Sequence, residues 1–234
     1  MNPDDAVAST ADFIDDSARD RVTVSGADAQ TYLQSQLAQE LRDLAVGAAR
    51  WSLVLDPTGK VDSLARVRRS ADVVFVLDTD AGFGEALMAR VNRFKIRVAA
   101  DVTLETAESP SPAAEFEQRR VEAGWPRMGA EIEPGSTIPA TTGLVPVAVN
   151  LKKGCYPGQE LVERMDSRGA DAPRSLRVLE VGVAVADGVR PGDSVVGIDG
   201  TDVGVVTSVA PDGCWALGYV KRGADVGTAP FQLD

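Results

Sequence analysis

Histidine is missing from all 234 residues, which removes every mechanism that needs an imidazole. Ser-His-Asp and Cys-His hydrolysis, H-E-x-x-H zinc sites and haem held by a proximal histidine are all excluded. Cysteine is almost as scarce. Cys155 and Cys214 are too few for a disulfide framework, or for an iron-sulfur or zinc site within one chain, which usually needs three or four ligands. A reduced cytoplasmic protein fits this usage best. No apolar run approaches the roughly 20 residues that cross a bilayer. The segment MNPDDAVASTADFIDDSARD lacks the basic and apolar regions of a signal peptide, so the expectation is a soluble chain with no membrane partner. Basic residues are the minority charge, 24 Lys+Arg against 35 Asp+Glu for a net −11. Direct nucleic-acid binding is therefore not expected.

What is present is an ordinary globular composition, 44% hydrophobic and 25% charged. Residues 1–20 hold much of the acid and little apolar periodicity, and read as a mobile acidic arm. Val22 and Val24 begin a strand, and Ser25-Gly26-Ala27-Asp28 resembles a capping box. A helix is predicted from there to about Asp43, with Leu33, Leu37 and Leu41 on one stripe. Trp51 to Leu55 and Lys60 to Arg69 read as a hairpin around Asp56-Pro57-Thr58-Gly59. Val73 to Asp78 is a further strand, Phe83, Leu87, Val91 and Phe94 mark a second helix, and Ile96 to Leu104 a closing strand.

The order β-α-β-β-β-α-β predicts an α+β domain, an antiparallel sheet with two helices on one face. Residues 107–118 read as a Pro/Ser/acid-rich connection, and 120–150 as irregular structure rich in Gly and Pro. From Ser175, strand-length runs broken by Pro191-Gly192-Asp193, Asp199-Gly200 and Pro211-Asp212-Gly213 predict a small C-terminal β-barrel or sandwich. The predicted boundaries are 1–20, 21–172 and 173–234.

The densest chemical signal is Lys152-Lys153-Gly154-Cys155-Tyr156-Pro157-Gly158-Gln159-Glu160, with a helix starting near Gly158. Cations and a helix N-terminus both favour a thiolate, so Cys155 is a candidate reactive group. The competing reading is a turn with a small buried cysteine. Arg90, Arg93, Lys95 and Arg97 form a cationic run with no intervening acid, read either as a solvated helix flank or as a site for an acidic partner or tail. Cys214 reads as a small buried side chain in a strand.

Lys153 to Glu160, K-G-C-Y-P-G-Q-E, resembles the K-G-C-Y-x-G-Q-E signature of the YgfZ folate-binding proteins. These form the branch of the YgfZ/GcvT family implicated in iron-sulfur protein maintenance. The other matching pieces are Val24 to Asp28, Asp56 to Lys60, Val121-Glu122-Ala123-Gly124-Trp125-Pro126, Arg168-Gly169-Ala170, and Gly204 to Ser208 with Ala216 to Val220. The resemblance implies a GcvT-like folate-binding domain with a C-terminal barrel, and a tetrahydrofolate pocket with Cys155 at its edge. Lys153, Gly154, Tyr156, Gly158, Gln159 and Glu160 are its motif residues. It places Asp62 near the Asp with which aminomethyltransferases act on folate nitrogen, and Phe116 where an aromatic could stack on a pterin; a solvated strand carboxylate and a loop anchor are the alternatives. Two departures stand out. The stretch between Thr106 and Phe116 is short, and Arg164-Met165-Asp166 carries Asp where the family often has His.

Three functions follow from different classes. The first is a folate-binding accessory protein that works with iron-sulfur client or scaffold proteins through Cys155, with an indirect effect on tRNA modification. The second is a folate-dependent aminomethyltransferase-like enzyme using Asp62. The third is a shortened module that keeps the fold without folate.

Overall fold

The computed structural model describes residues 14–167, 172–181, 188–197, 200–224 and 226. Most of the acidic arm, the Arg168-Gly169-Ala170 match and Asp199 of the Asp199-Gly200 turn lie outside them, as does the side chain of Asp166.

The first sheet contains β1 (Arg19–Ser25), β2 (Ala49–Leu55), β3 (Val61–Ala71), β4 (Val74–Asp80) and β5 (Asp101–Glu105), in the order β2-β3-β4-β1-β5 with every pairing antiparallel. Helices α1 (Ala29–Gln36) and α2 (Gly84–Arg93) connect its strands. Ala29, Tyr32 and Leu33 of α1 and Leu87 and Val91 of α2 are buried against Val22, Val24, Val67, Phe75 and Leu77. The opposite face is covered by the irregular segment: Trp51, Leu53, Leu55 and Leu64 pack on Trp125, Met128, Ile132 and Leu144. Alternate residues of β2 therefore meet different cores, which explains why its last five residues are all buried.

The α+β class and the helix and strand order agree with the prediction, while several boundaries do not. The first helix stops at Gln36, because Leu37 is extended (φ −102°, ψ 153°). Leu37 and Leu41 stay in the core, but their backbone bonds outward: the Ala38 N–H donates to the Leu53 carbonyl and the Leu41 N–H to Gln34 Oε1. No side-chain cap forms at Asp28; its carboxylate accepts from the Ala99 N–H at 2.8 Å instead. The closing strand starts at Asp101 rather than Ile96, since Arg97 turns with φ +54° and carries Ala99 onto Gly26.

Residues 14–20, expected in the arm, are structured. Ile14 is buried, Asp16–Ala18 form a 3-10 turn, and Arg19 and Asp20 open β1. The short connection after β5 is pinned on them, with Ala107 N–H donating to Asp20 Oδ1 and Ser109 N–H to the Ser17 carbonyl. It leads into α3 (Ala114–Glu122), a helix where connection and loop were expected. Then come a 3-10 turn at Pro139–Thr141, α4 (Val145–Ala148) and α5 (Gln159–Ser167).

The C-terminal unit comprises β6 (Arg174–Glu180), β7 (Ser194–Val196), β8 (Asp202–Val209) and β9 (Trp215–Lys221), an antiparallel sheet in the order β6-β9-β8-β7. A buried polar cluster joins it to the segment that covers the first sheet. Glu131 accepts from Ser208 Oγ at 2.6 Å and Thr207 Oγ1 at 2.8 Å, and its backbone carbonyl accepts from the Tyr219 hydroxyl.

Candidate functional site

The octapeptide divides into an inward and an outward half. Lys153 points inward. Its Nζ donates to the carbonyls of Gln34, Leu37 and Gln39 at 2.7, 2.6 and 2.9 Å. These are the open carbonyls at and beyond the C-terminus of α1, so one ammonium closes a helix end that otherwise lacks partners. Burial pushes the amine down to about 8, and three acceptors match the three N–H donors of the charged form. Lys153 is thus a clamp on α1, and its charge is already engaged.

Tyr156 is buried with Val149 and Val162, and its ring lies 5.3 Å from Lys153 Nζ. Burial raises its hydroxyl to about 12, with the Glu163 carboxylate adding to the effect. Gly158 has φ +80°, and a Cβ there would stand 2.3 Å from the Asp56 carbonyl oxygen. The motif therefore packs backbone against backbone on the β2–β3 hairpin, which only glycine permits. That hairpin is tied by Asp56, whose Oδ1 accepts from the N–H groups of Thr58 and Lys60. Gln159 Oε1 accepts from the Tyr156 N–H at 3.1 Å. Gly154, Cys155 and Glu160 face outward and are exposed.

Beyond the hairpin lies a cleft of about 390 Å³, lined by Asp62 and Ser63 of β3, Ala86, Leu87, Ala89, Arg90 and Arg93 of α2, and Pro134. This size is within the range of small-molecule sites. The Asp62 carboxylate is a quarter exposed and meets Arg90 Nε at 3.4 Å. Burial raises the Asp62 pKa, opposed by the charges of Arg90 and Arg93 and reinforced by that of Asp56. Asp62 is therefore more shielded than the solvated strand carboxylate considered from sequence.

Arg90 is almost entirely buried. Its Nε and Nη2 donate to the Leu55 carbonyl at 3.3 and 2.9 Å and its Nη1 to Gln36 Oε1 at 3.2 Å. It thus bonds to the end of β2 and the end of α1 while facing Asp62. As a member of the cationic run Arg90 was a candidate for a solvated flank, yet its spacing held the contrary signal: it follows Leu87 by three residues and precedes Val91, on the apolar stripe of α2. Gln36, which orients it, carried no such signal.

The remaining candidates fall elsewhere. Neither Cys155 nor Phe116 lines this cleft. Phe116 is half-buried on α3 with the Arg119 guanidinium 4.5 Å over its ring. Cys214, expected to be buried, is exposed in the turn before β9, its N–H bonded to Asp212 Oδ1; the turn Pro211-Asp212-Gly213 ends one residue before the strand-like run, so Cys214 belongs to the turn. Trp51 and Trp125 pack together in the core with ring centroids 4.7 Å apart and planes tilted by 55°.

The cavity between Ile14, Ala18, Arg19, Asp80, Pro112, Arg120, Trp125 and Arg127 measures about 30 Å³, space for a water and nothing larger. Among the described residues no group of three or more His, Cys, Asp or Glu could hold a metal ion, and no helix is long and apolar enough to cross a membrane.

This arrangement is the GcvT-like fold, an α+β domain followed by an antiparallel β unit. The solved glycine cleavage system aminomethyltransferase T from Bartonella henselae superposes with a TM-score of 0.72, over 88% of this chain and 77% of that one, at 19% identity. In sequence the chain is 27% identical over 199 residues to an uncharacterized protein of Haemophilus influenzae, covering 68% of this chain and 70% of the relative. No protein-family model matches.

Proposed function

We propose that the chain is a folate-binding accessory protein of the YgfZ type, supporting iron-sulfur cluster assembly or repair in client proteins. The observation that carries this reading is Asp62 lining an open cleft, just past a hairpin onto which the octapeptide is folded. The structural neighbour is named as an aminomethyltransferase, the class to whose folate chemistry the resemblance in sequence points, which supports the choice of ligand.

The residues fit a reduced folate. The Asp62 carboxylate accepts from ring N–H groups, Ala86, Leu87 and Pro134 supply apolar contact, and Arg93 offers a cation to a carboxylate. Arg90 holds Asp62 in place while bonded to Leu55 and Gln36. A bound tetrahydrofolate supplies one-carbon carriage on its ring nitrogens. Cys155 is exposed on the outward half of the motif, where a partner protein can reach it. One thiolate cannot hold a cluster, so any cluster is shared with a client or scaffold, and an effect on tRNA modification follows indirectly.

Two observations keep other readings in view. Asp62 in the cleft is what an aminomethyltransferase-like enzyme needs, and the small 30 Å³ cavity is what a module without folate would show. Equilibrium dialysis against tetrahydrofolate decides the second: saturable binding that weakens at least tenfold in Asp62→Asn is expected, and no binding by the unaltered protein removes the folate reading. Detection of aminomethyl transfer by the unaltered protein, lost in Asp62→Asn, would make it an enzyme. In cells depleted of the protein, Cys155→Ala should fail to restore iron-sulfur enzyme activity while Cys214→Ala restores it. Equal rescue by both variants rejects the thiol role.

A further inference from the structure

We propose that Gln36 is a positioning residue for the Arg90–Asp62 pair, and that the octapeptide acts on the cleft through it; this rests on the reading of the cleft as a folate site. Neither Gln36 nor any residue of the octapeptide lines the cleft. Both reach it through Arg90, whose guanidinium meets Asp62 at 3.4 Å and has two other acceptors, the Leu55 carbonyl and Gln36 Oε1.

The octapeptide grips both acceptors. Lys153 Nζ bonds to the carbonyls of Gln34 and Leu37, on either side of Gln36, so the clamp on α1 also fixes the backbone from which the Gln36 side chain springs. A Cβ on Gly158 would stand 2.9 Å from the Leu55 Cβ. The motif backbone therefore lies against the residue whose carbonyl receives two Arg90 N–H groups. Gln36 itself is 8% exposed, and its Nε2 donates to Ser35 Oγ at 3.1 Å, which turns Oε1 toward Arg90.

The strand side supplies the counterpart. Along β2 and β3, Val54 faces Ser63 while Leu55 faces Val61, so Asp62 is the extra residue of a bulge. A bulge re-aims a side chain, and the residue beside this one, Leu55, holds Arg90. The separation of 3.4 Å is longer than the roughly 2.7–2.9 Å of a full charge-assisted hydrogen bond. Gln36 and Leu55 thus hold the guanidinium back from Asp62, and the carboxylate keeps its acceptor capacity for a ligand. Without Gln36, the freed Nη1 turns onto Asp62 and competes with that ligand.

The test measures tetrahydrofolate affinity of the full chain by equilibrium dialysis, with thermal unfolding to confirm that each variant is folded. Gln36→Met fills a similar volume without an oxygen acceptor; Gln36→Leu takes its place if that variant does not fold. Support is a loss of about tenfold, recovered to within about threefold in Gln36→Glu, which keeps an acceptor for Arg90, and reduced below about twofold on the Asp62→Asn background. Unchanged affinity in Gln36→Met overturns the positioning role and leaves the cleft reading intact. Equal losses with and without Asp62 also overturn it, because they place the effect of Gln36 outside the pair. No saturable binding by the unaltered protein overturns both readings. Lys153→Met, or Lys153→Gln where the first does not fold, should weaken binding and add little to the loss in Gln36→Met. Full affinity in a folded Lys153 variant, or losses that simply add, overturns the part given to the octapeptide.

Discussion

Two charge clusters in this chain use the same side chains and end in opposite states. Arg120 has all its donors in use: its guanidinium bonds to both oxygens of Glu117, to Glu131, to the Trp125 carbonyl and to Ser208 Oγ, and Glu131 is shut off from solvent. At Asp62, one carboxylate faces one arginine at 3.4 Å on the wall of an open cleft. The first cluster has used its hydrogen-bonding capacity to join the C-terminal sheet to the preceding segment. The second keeps acceptor capacity and space. Pairing alone thus says little about role; unfilled bonds beside a void say more.

The largest effect that would break the contrast is expected at Glu131. Glu131→Ala leaves Arg120, Ser208 and Thr207 without their shared acceptor and should cost about 3–5 kcal/mol in urea unfolding. An unfolding midpoint like that of the unaltered protein would mean the cluster does not hold the C-terminal sheet in place. Lys153→Met comes next, leaving three carbonyls unpaired, at about 1–3 kcal/mol. If it instead lost cellular function at full stability, Lys153 would act on chemistry rather than on α1.

The two clusters should also respond to pH with opposite sign. Burial opposes the charge on Glu117, but its bonds from Arg120 and the charges of Arg120 and Arg127 outweigh that and lower its pKa. The stability this gives is present above the ordinary Glu value of 4.5 and is lost as pH falls through the lower folded value. The raised pKa of Asp62 acts the other way: its contribution is complete below 3.8 and is lost as pH rises through the folded value. Urea midpoints between about pH 3 and pH 7 should therefore show less acid loss in Glu117→Gln and a smaller decline on the rising side in Asp62→Asn. Equal profiles for the two variants would erase the distinction. The smallest effect is expected for Cys155→Ala, within about 0.5 kcal/mol, as for an exposed side chain with no structural partner.

Much of this was readable in advance. The antiparallel sheet, the Asp56 turn and the second helix follow from alternation and turn chemistry. Asp62, put forward by the resemblance, is one of the residues lining the cleft, and its role there belongs to the proposal. Lys153 was read as a cation beside Cys155 and became a clamp on α1. The stripe Leu33-Leu37-Leu41 predicted a longer helix, since all three are buried, yet burial was achieved without helical backbone.

Local order is written into neighbours: a strand's alternation, a proline-glycine turn and an apolar stripe act within a few residues, so composition and pattern settled the class of fold and excluded imidazole chemistry outright. The hydrogen-bond partners of Arg90 and Lys153 lie 35 to 119 residues away along the chain. No pattern of adjacent residues can name such partners, because a hydrogen bond extends only about 3 Å and folding alone brings those atoms within reach.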